Sequence, residues 1–409
     1  MNCRHCSAPM NFIFIDMVNS PPSNSYLTHK QLNESELYYP LKVFVCDKCF
    51  LVQIDEYKHH DEIFSQDYAY FSSYSRSWLK HSEEYVNNIT ARLRLDKNSS
   101  VMEIASNDGY LLQYFVQKGI PAFGIEPTAN TAKVARAKGV ETLEDFFGFH
   151  SSRKIVAFKG TQDLIIGNNV LAHVPDMHDF IAGIKIALKE SGTLTMEFPH
   201  LLNLIKYNQF DTIYHEHYSY LSFHTIVDIF ASHGIELYDV EELPTHGGSL
   251  RIYGRHKEYK ALPVSGHVQE LIQKEYEFGL NSLDIYRQFQ NKSDEIKNEF
   301  ISFLLEQRQE KKKVAIYGAA AKGNTLLNYC GIKGTNLIQF AVDASPFKQG
   351  KYLPGSHIEI FPEQKIKDEK PDFVIIMPWN IRDEIEQQLS YIRQWGGKFI
   401  TAIPKQEIF

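Results

Sequence analysis

Between Tyr214 and Tyr220 the chain reads YHEHYSY, two imidazoles flanking a carboxylate, with a phenol before them and two after. Groups of these types can ligate a metal, move protons near neutral pH, or form a polar turn. On a plain strand successive side chains alternate, so Tyr214 and Glu216 would face away from His217. Joint action of the three therefore requires a bend.

Four of the five cysteines form two CxxC knuckles, Cys3 and Cys6 in CRHC, Cys46 and Cys49 in CDKC. Each knuckle turns two thiolates toward one point, and two knuckles complete a tetrahedral Zn²⁺ site. With all four positions filled by protein, such a metal is structural. The run LKVFVCDKCFLVQ reads as strand, tight turn, strand. From Met17 to Pro40 the Ser-, Asn- and Pro-rich chain reads as a long irregular loop whose ends the metal ties together. Cys330, in LLNYCGIKG, reads as a small buried apolar residue.

The elements that must position this chemistry are α/β. Val101 to Ala105 predicts a buried strand, SNDG a turn, and Tyr110 to Lys118 a helix. Pro121 to Ile125 predicts a second strand ending on Glu126, with a helix after it capped by Thr128 or Asn130. This is the first half of a doubly wound nucleotide fold, in which ligands sit at the carboxyl ends of the strands. The GxGxxG that admits a pyrophosphate is missing. In its place stand Ala105, Ser106, Asn107, Asp108 and Gly109, following Glu103. Asp108 would repel a phosphate but suits an amine or sulfonium, and Glu126 suits ribose hydroxyls, which points to S-adenosylmethionine rather than NAD. DLIIGNNVLAHVPD predicts a strand and then a loop carrying Asn168, Asn169 and His173. SGTLTMEFPH predicts the next strand.

From Val264 to Lys311 the pattern predicts two linking helices, with NKSDE as break and cap between them. A second α/β unit follows: KKVAIYGAAAKGN, a strand ending on Asp343, and PDFVIIMPWN. The turn YGAAAKGN is not a P-loop.

Taken together, EIASNDGYLLQYF, GIEPTAN, NNVLAHVPD, YHEHYSYLS, HGGSLR, YGAAAKGNTLLNYCG and MPWN resemble the S-adenosylmethionine-dependent sugar C-methyltransferases of deoxysugar biosynthesis. The resemblance covers nearly the whole chain. It implies a zinc-binding domain over 1–75, a Rossmann-like class I methyltransferase domain over 76–255, and a Rossmann-like domain over 256–409 that helps to hold a nucleotide-diphosphate sugar. The family usually carries Gly where Ala105 stands. Glu103, Ala105, Asn107, Asp108, Gly109, Glu126, Asn168 and Asn169 become candidate cofactor contacts. Methylation of a carbon beside a ketone needs a base for the α-proton and a group to stabilise the enolate oxygen. His217 is the candidate base, Tyr214 the donor to the 4-keto oxygen, and Glu216 a support for a neighbouring imidazole or a contact to a sugar hydroxyl. The resemblance also brings His173 into the site. Tyr68 or Tyr70 would reach in from the zinc-domain junction. Candidate substrate contacts are His246, Ser249, Arg251, Lys322, Asn324, Lys348 and Tyr352, with a hairpin or solvated loop as the simpler reading of several.

The net charge of −7 over 409 residues offers no basic footprint for nucleic acid. No apolar run reaches the roughly 18 residues of a membrane span, and MNCRHCSAPM has no apolar core of a signal peptide. The expectation is a cytoplasmic protein, monomeric in the simplest case. Competing readings are an O- or N-methyltransferase, a metal-dependent hydrolase centred on HEH, and a non-catalytic zinc-ribbon scaffold.

Overall fold

The computed structural model describes residues 1–57 and 70–409. Near the amino terminus, β1 (Phe12–Ser20), β2 (Tyr39–Val45) and β3 (Val52–Ile54) form an antiparallel meander. The fourth strand of that sheet, β9 (Ser219–Tyr220), comes from far downstream and pairs with β3. The second knuckle sits at the turn between β2 and β3, as the strand–turn–strand pattern predicts. The loop is shorter than its composition suggests. Met17 to Ser20 still belong to β1, because Val18, at φ 63°, shifts the register after Asp16 and lets the strand continue.

The central sheet holds β4 (Val101–Ile104), β5 (Ala122–Ile125), β6 (Glu141–Leu143), β7 (Gln162–Asn168), β8 (Leu188–Pro199), β10 (Ile235–Leu243) and β11 (Ser249–His256). Their order is β10-β11-β8-β7-β4-β5-β6, parallel except where β11 lies antiparallel to β8 and β10. The order reverses on either side of β4, and this switch point opens a crevice at the carboxyl ends of β4 and β7. β4 is buried along its whole length, as a strand covered on both faces must be.

The linker is three helices, Gly266–Phe278, Leu283–Arg287 and Phe289–Gln309. NKSDE lies inside the last of them. The break falls earlier, where Gly279 takes a left-handed φ of 99° and Ser282 caps the next helix through Asp284 N. The third sheet runs β14 (Ile360–Phe361), β13 (Phe340–Val342), β12 (Val314–Tyr317), β15 (Phe373–Ile376), β16 (Lys398–Thr401), β17 (Glu407–Ile408), with only β17 antiparallel. One apolar core joins the three units. It runs from Phe14 and Val43 through Leu201, Leu204 and Phe210 to Phe300, Ile316 and Met377. No helix among the described residues is long and apolar enough to cross a membrane.

Candidate active site

The YHEHYSY stretch bends where its chemistry needs it to. The His217 amide donates to the Tyr214 carbonyl at 2.9 Å, closing a turn before the chain enters β9. Tyr214 and His217 thus come to the same side, their ring centroids 4.0 Å apart. His217 Nδ1 lies 2.8 Å from the Thr212 carbonyl, which can only accept. Nδ1 therefore carries the proton, and Nε2 is the basic nitrogen. The Tyr214 hydroxyl donates to it at 2.9 Å. His173 repeats the pattern, its Nδ1–H donating to the Glu216 carbonyl at 2.7 Å, and its ring stands edge-on to His217 at 4.7 Å.

Burial keeps these imidazoles neutral. It lowers His173 to about 4. Burial, and next the neighbouring His173, hold His217 well below its ordinary range. The Tyr214 phenol is pushed up by burial and by the nearby Glu216, so it remains a proton donor. His215, whose role the sequence leaves open, turns away. Its Nε2 donates to the Pro40 carbonyl at 3.2 Å, and its ring meets Tyr39 of β2.

Two residues of the zinc module reach this turn without having been singled out from the sequence. Asn24, in the loop between the knuckles, donates to Glu216 Oε1 at 2.7 Å. Arg4, between Cys3 and Cys6, donates to the carbonyls of Ile54 and Tyr218 at 2.5 and 3.2 Å. Neither carries a sequence signal, because both partners are distant backbone or side-chain acceptors.

The four knuckle sulfurs lie within 4.8 Å of one another, Cys3 to Cys49 and Cys6 to Cys46 each at 3.5 Å. Tetrahedral Zn–S bonds of about 2.3 Å place sulfurs roughly 3.8 Å apart, so the donor set fits zinc. Gln53, fully buried, donates from Nε2 to Cys3 Sγ at 3.3 Å, the kind of outer contact that orients a metal-binding thiolate.

At the carboxyl ends of β4, β5 and β7, Ala105 and Asn107 adopt left-handed φ values of 56° and 48°, and Gly109 one of 74°. Ala105 thus holds a backbone conformation that glycine adopts without strain. Glu103 is fully buried, its polar neighbour being the Tyr110 hydroxyl, and burial raises its carboxyl well above the usual range. Glu126 accepts from the amides of Asn107 and Thr128 at 2.8 and 2.9 Å and so pins the turn. The Asn107 side chain bonds Ser72 N and the Tyr70 carbonyl, and Asp108 meets Ser73 and, at 3.2 Å, Lys138. Asn168 contacts Tyr110, and Asn169 donates to His246 Nε2 at 3.0 Å. Ser106 Oγ, Asp108 Oδ1 and Asn169 Oδ1 are buried with no hydrogen-bond partner among the described residues. Such a crevice of unmet acceptors fits a ligand rich in donors and positive charge. S-adenosylmethionine offers an ammonium, a sulfonium, ribose hydroxyls and an adenine amine.

The remaining candidates divide. Tyr70 lies within electrostatic reach of Tyr214, whereas Tyr68 is outside the described residues. His246 joins Asn169 and packs on Trp78 at 5.0 Å. Lys322 acts on His217 and His246 and is therefore close to the cluster. Arg251 is not presented to it. Its guanidinium donates to Glu197 at 2.7 Å and lies over Tyr85. Burial pushes Glu197 up, but His81 and Arg251 outweigh it and hold the carboxyl at about 2. Ser249 donates to the Thr245 carbonyl within the hairpin. Asn324, 1% exposed, donates to the Ser23 carbonyl at 2.5 Å and fastens the inter-knuckle loop. Lys348 donates to the Ala319 carbonyl and pairs with Asp343 at 3.3 Å. Tyr352, bonded to His29, lines with His357 and Phe361 a separate hollow of about 270 Å³.

A switch-point crevice lined with unmet acceptors, a phenol–imidazole pair beside it, and a four-thiolate centre define a class I methyltransferase with a zinc-binding domain. Comparison with known proteins agrees. Family models match for a zinc binding domain over residues 3–64, a methyltransferase domain over 78–240 and a C-methyltransferase C-terminal domain over 244–404. The C-methyltransferase NovU of Streptomyces niveus is 31% identical over 408 residues, 99% of this chain and 96% of that protein. Among solved structures, a SAM-dependent methyltransferase of Thermotoga maritima matches 49% of this chain and all of its own, at 18% identity and a TM-score of 0.36. The magnesium protoporphyrin IX methyltransferase of Synechocystis covers 42% of this chain and 78% of its own, at 15% identity and a TM-score of 0.32. The chain belongs to the S-adenosylmethionine-dependent C-methyltransferase family.

Proposed function

We propose that the protein methylates a ring carbon, C3, beside the ketone of a nucleotide-diphosphate-linked 4-keto-deoxysugar. The observation that carries this reading is the 2.9 Å bond from the Tyr214 hydroxyl to His217 Nε2, the basic nitrogen of a neutral, buried imidazole. A carbon nucleophile needs its α-proton removed and the resulting oxyanion stabilised. A ketone oxygen that takes the Tyr214 hydrogen bond frees the Nε2 lone pair. Nε2 then accepts the proton from C3, and the C–H electron pair becomes the enolate, its charge on the oxygen to which Tyr214 donates. When bound, S-adenosylmethionine supplies an electrophilic methyl group to that carbon. Glu216, held by Asn24, bonds a sugar hydroxyl or supports the neighbouring imidazole. His173 backs His217, Asn169 and Tyr70 line the approach, and Lys322 answers the substrate's negative charge. Glu103, Asn107, Asp108, Glu126 and Asn168 would hold the cofactor. We take the protein to act in the cytoplasm as a monomer.

The test is incubation with methyl-labelled S-adenosylmethionine and a panel of nucleotide 4-keto-sugars in D₂O. Label at C3 is the expected result, and without S-adenosylmethionine the recovered substrate should carry deuterium at C3. Label on oxygen or nitrogen, or transfer to none of the panel, sinks the reading.

A further inference from the structure

The Phe210–Thr212 turn immediately before YHEHYSY carries Asp211, which enters none of the roles above. It is 2% exposed, and its Oδ1 has no hydrogen-bond partner among the described residues. Its Oδ2 accepts the indole N–H of Trp379 at 2.7 Å, across the boundary to the third sheet. That indole also carries a cation: Lys322 Nζ stands 4.5 Å from the ring centroid and donates to Asn380 Oδ1 at 3.1 Å. A β-carbon on Gly247 would come within 2.4 Å of the ring, so only glycine lets the HGGS turn close on it. Carboxylate, indole and ammonium thus make a chain, ending beside His217 and His246.

We infer that Asp211 and Trp379 are positioning residues for Lys322, the carboxylate acting through the indole to hold an ammonium at the catalytic cluster for the charge that develops on the substrate. This rests on the proposed reaction for the identity of that charge, though not for the coupling itself. The physics is direct. A carboxylate on the indole N–H makes the ring face more negative, and a cation over that face is held more strongly. Burial pulls the Lys322 amine down from its ordinary range, and Asp211 is the group that opposes it. His217 and His246, on which Lys322 also acts, are kept neutral by burial and add no compensating charge. Burial in turn raises Asp211 to about 6, which still leaves it ionised at neutral pH.

The discriminating variant is Asp211→Asn, which can keep an acceptor on the indole N–H but removes the charge. The alkaline limb of kcat/KM is expected to move about one pH unit or more to lower pH. Asp211→Asn combined with Lys322→Arg should abolish the limb, since a guanidinium does not deprotonate. Trp379→Phe, which removes the N–H donor, should shift it in the same direction. Independently of any methyl acceptor, the pH dependence of Lys322 acetylation by trace acetic anhydride, read by mass spectrometry, should show the amine titrating lower in Asp211→Asn. That readout stands even if the sugar panel fails, which separates this inference from the substrate assignment. S-adenosylmethionine binding by calorimetry reports that each variant is folded; should Asp211→Asn not fold, Trp379→Phe carries both measurements. Superimposable Lys322 titrations in wild type and variant, or an alkaline limb unmoved in both single variants, overturn it.

Discussion

His217 can act as a base only while it is neutral. Burial holds both His217 and His173 below 6.5, His173 at about 4. A depressed folded pKa keeps the neutral form present down to lower pH, so the base is lost only as pH falls through that depressed value. The acid limb of kcat/KM is therefore expected below pH 6.5, and a limb at 7 or above would contradict the assignment. His217→Asn should lower turnover by at least about a hundredfold, with S-adenosylmethionine binding retained by calorimetry. Near-normal turnover in that variant removes His217 from the role. At this scale the sequence exposed the reagents but not their aim. Residue types mark YHEHYSY as a reactive cluster, and it is the family resemblance that picks Tyr214 and His217 from its three phenols and two imidazoles. That the phenol points at Nε2 depends on a turn hydrogen bond and on the Thr212 carbonyl, neither of which has a side-chain signal. Arg251 shows the converse: beside HGGS it reads as a phosphate contact, yet Glu197 on the neighbouring strand claims it.

The zinc knuckle is one of the elements that hold the proposed catalytic turn. Arg4 lies between two of its ligands and holds the Tyr218 carbonyl, β9 extends its sheet, and the loop it closes delivers Asn24 to Glu216. The metal sits away from the chemistry, yet its removal should reach it. Chelation of zinc is expected to lower kcat by more than about tenfold, with a smaller effect on S-adenosylmethionine affinity, because the cofactor crevice belongs to the central sheet. Asn24→Ala should reproduce part of the loss with zinc still bound. Full turnover in zinc-free protein would show the knuckle to be independent of the site. CxxC spacing made the metal centre legible, since four thiolates at those intervals have few other uses. β9 was not legible, because two residues carry no periodicity. The linker break was misplaced because NKSDE resembles a cap, whereas Gly279 was the residue able to stop a helix.

Across the whole molecule, three sheets share one apolar core, and Leu201, Leu204, Ile205, Phe210 and Ile213 of the middle unit face it. Residues 76–255 produced alone would expose all five. That fragment is expected to aggregate or to lack the near-ultraviolet circular dichroism of fixed aromatic packing, and cooperative unfolding of a soluble fragment would refute this. Alternating strands and helices made the two doubly wound sheets readable, but the way they share a core depends on contacts between distant segments. The placement of β9 also has a consequence in time. At about 5–20 residues per second of synthesis, roughly 10–30 s separate the emergence of β3 from that of its last partner strand. Through that interval the amino-terminal sheet has an open edge and its thiols have no finished fold around them. Early capture of zinc would hold the nascent knuckles together until the ribosome delivers the strand that completes them.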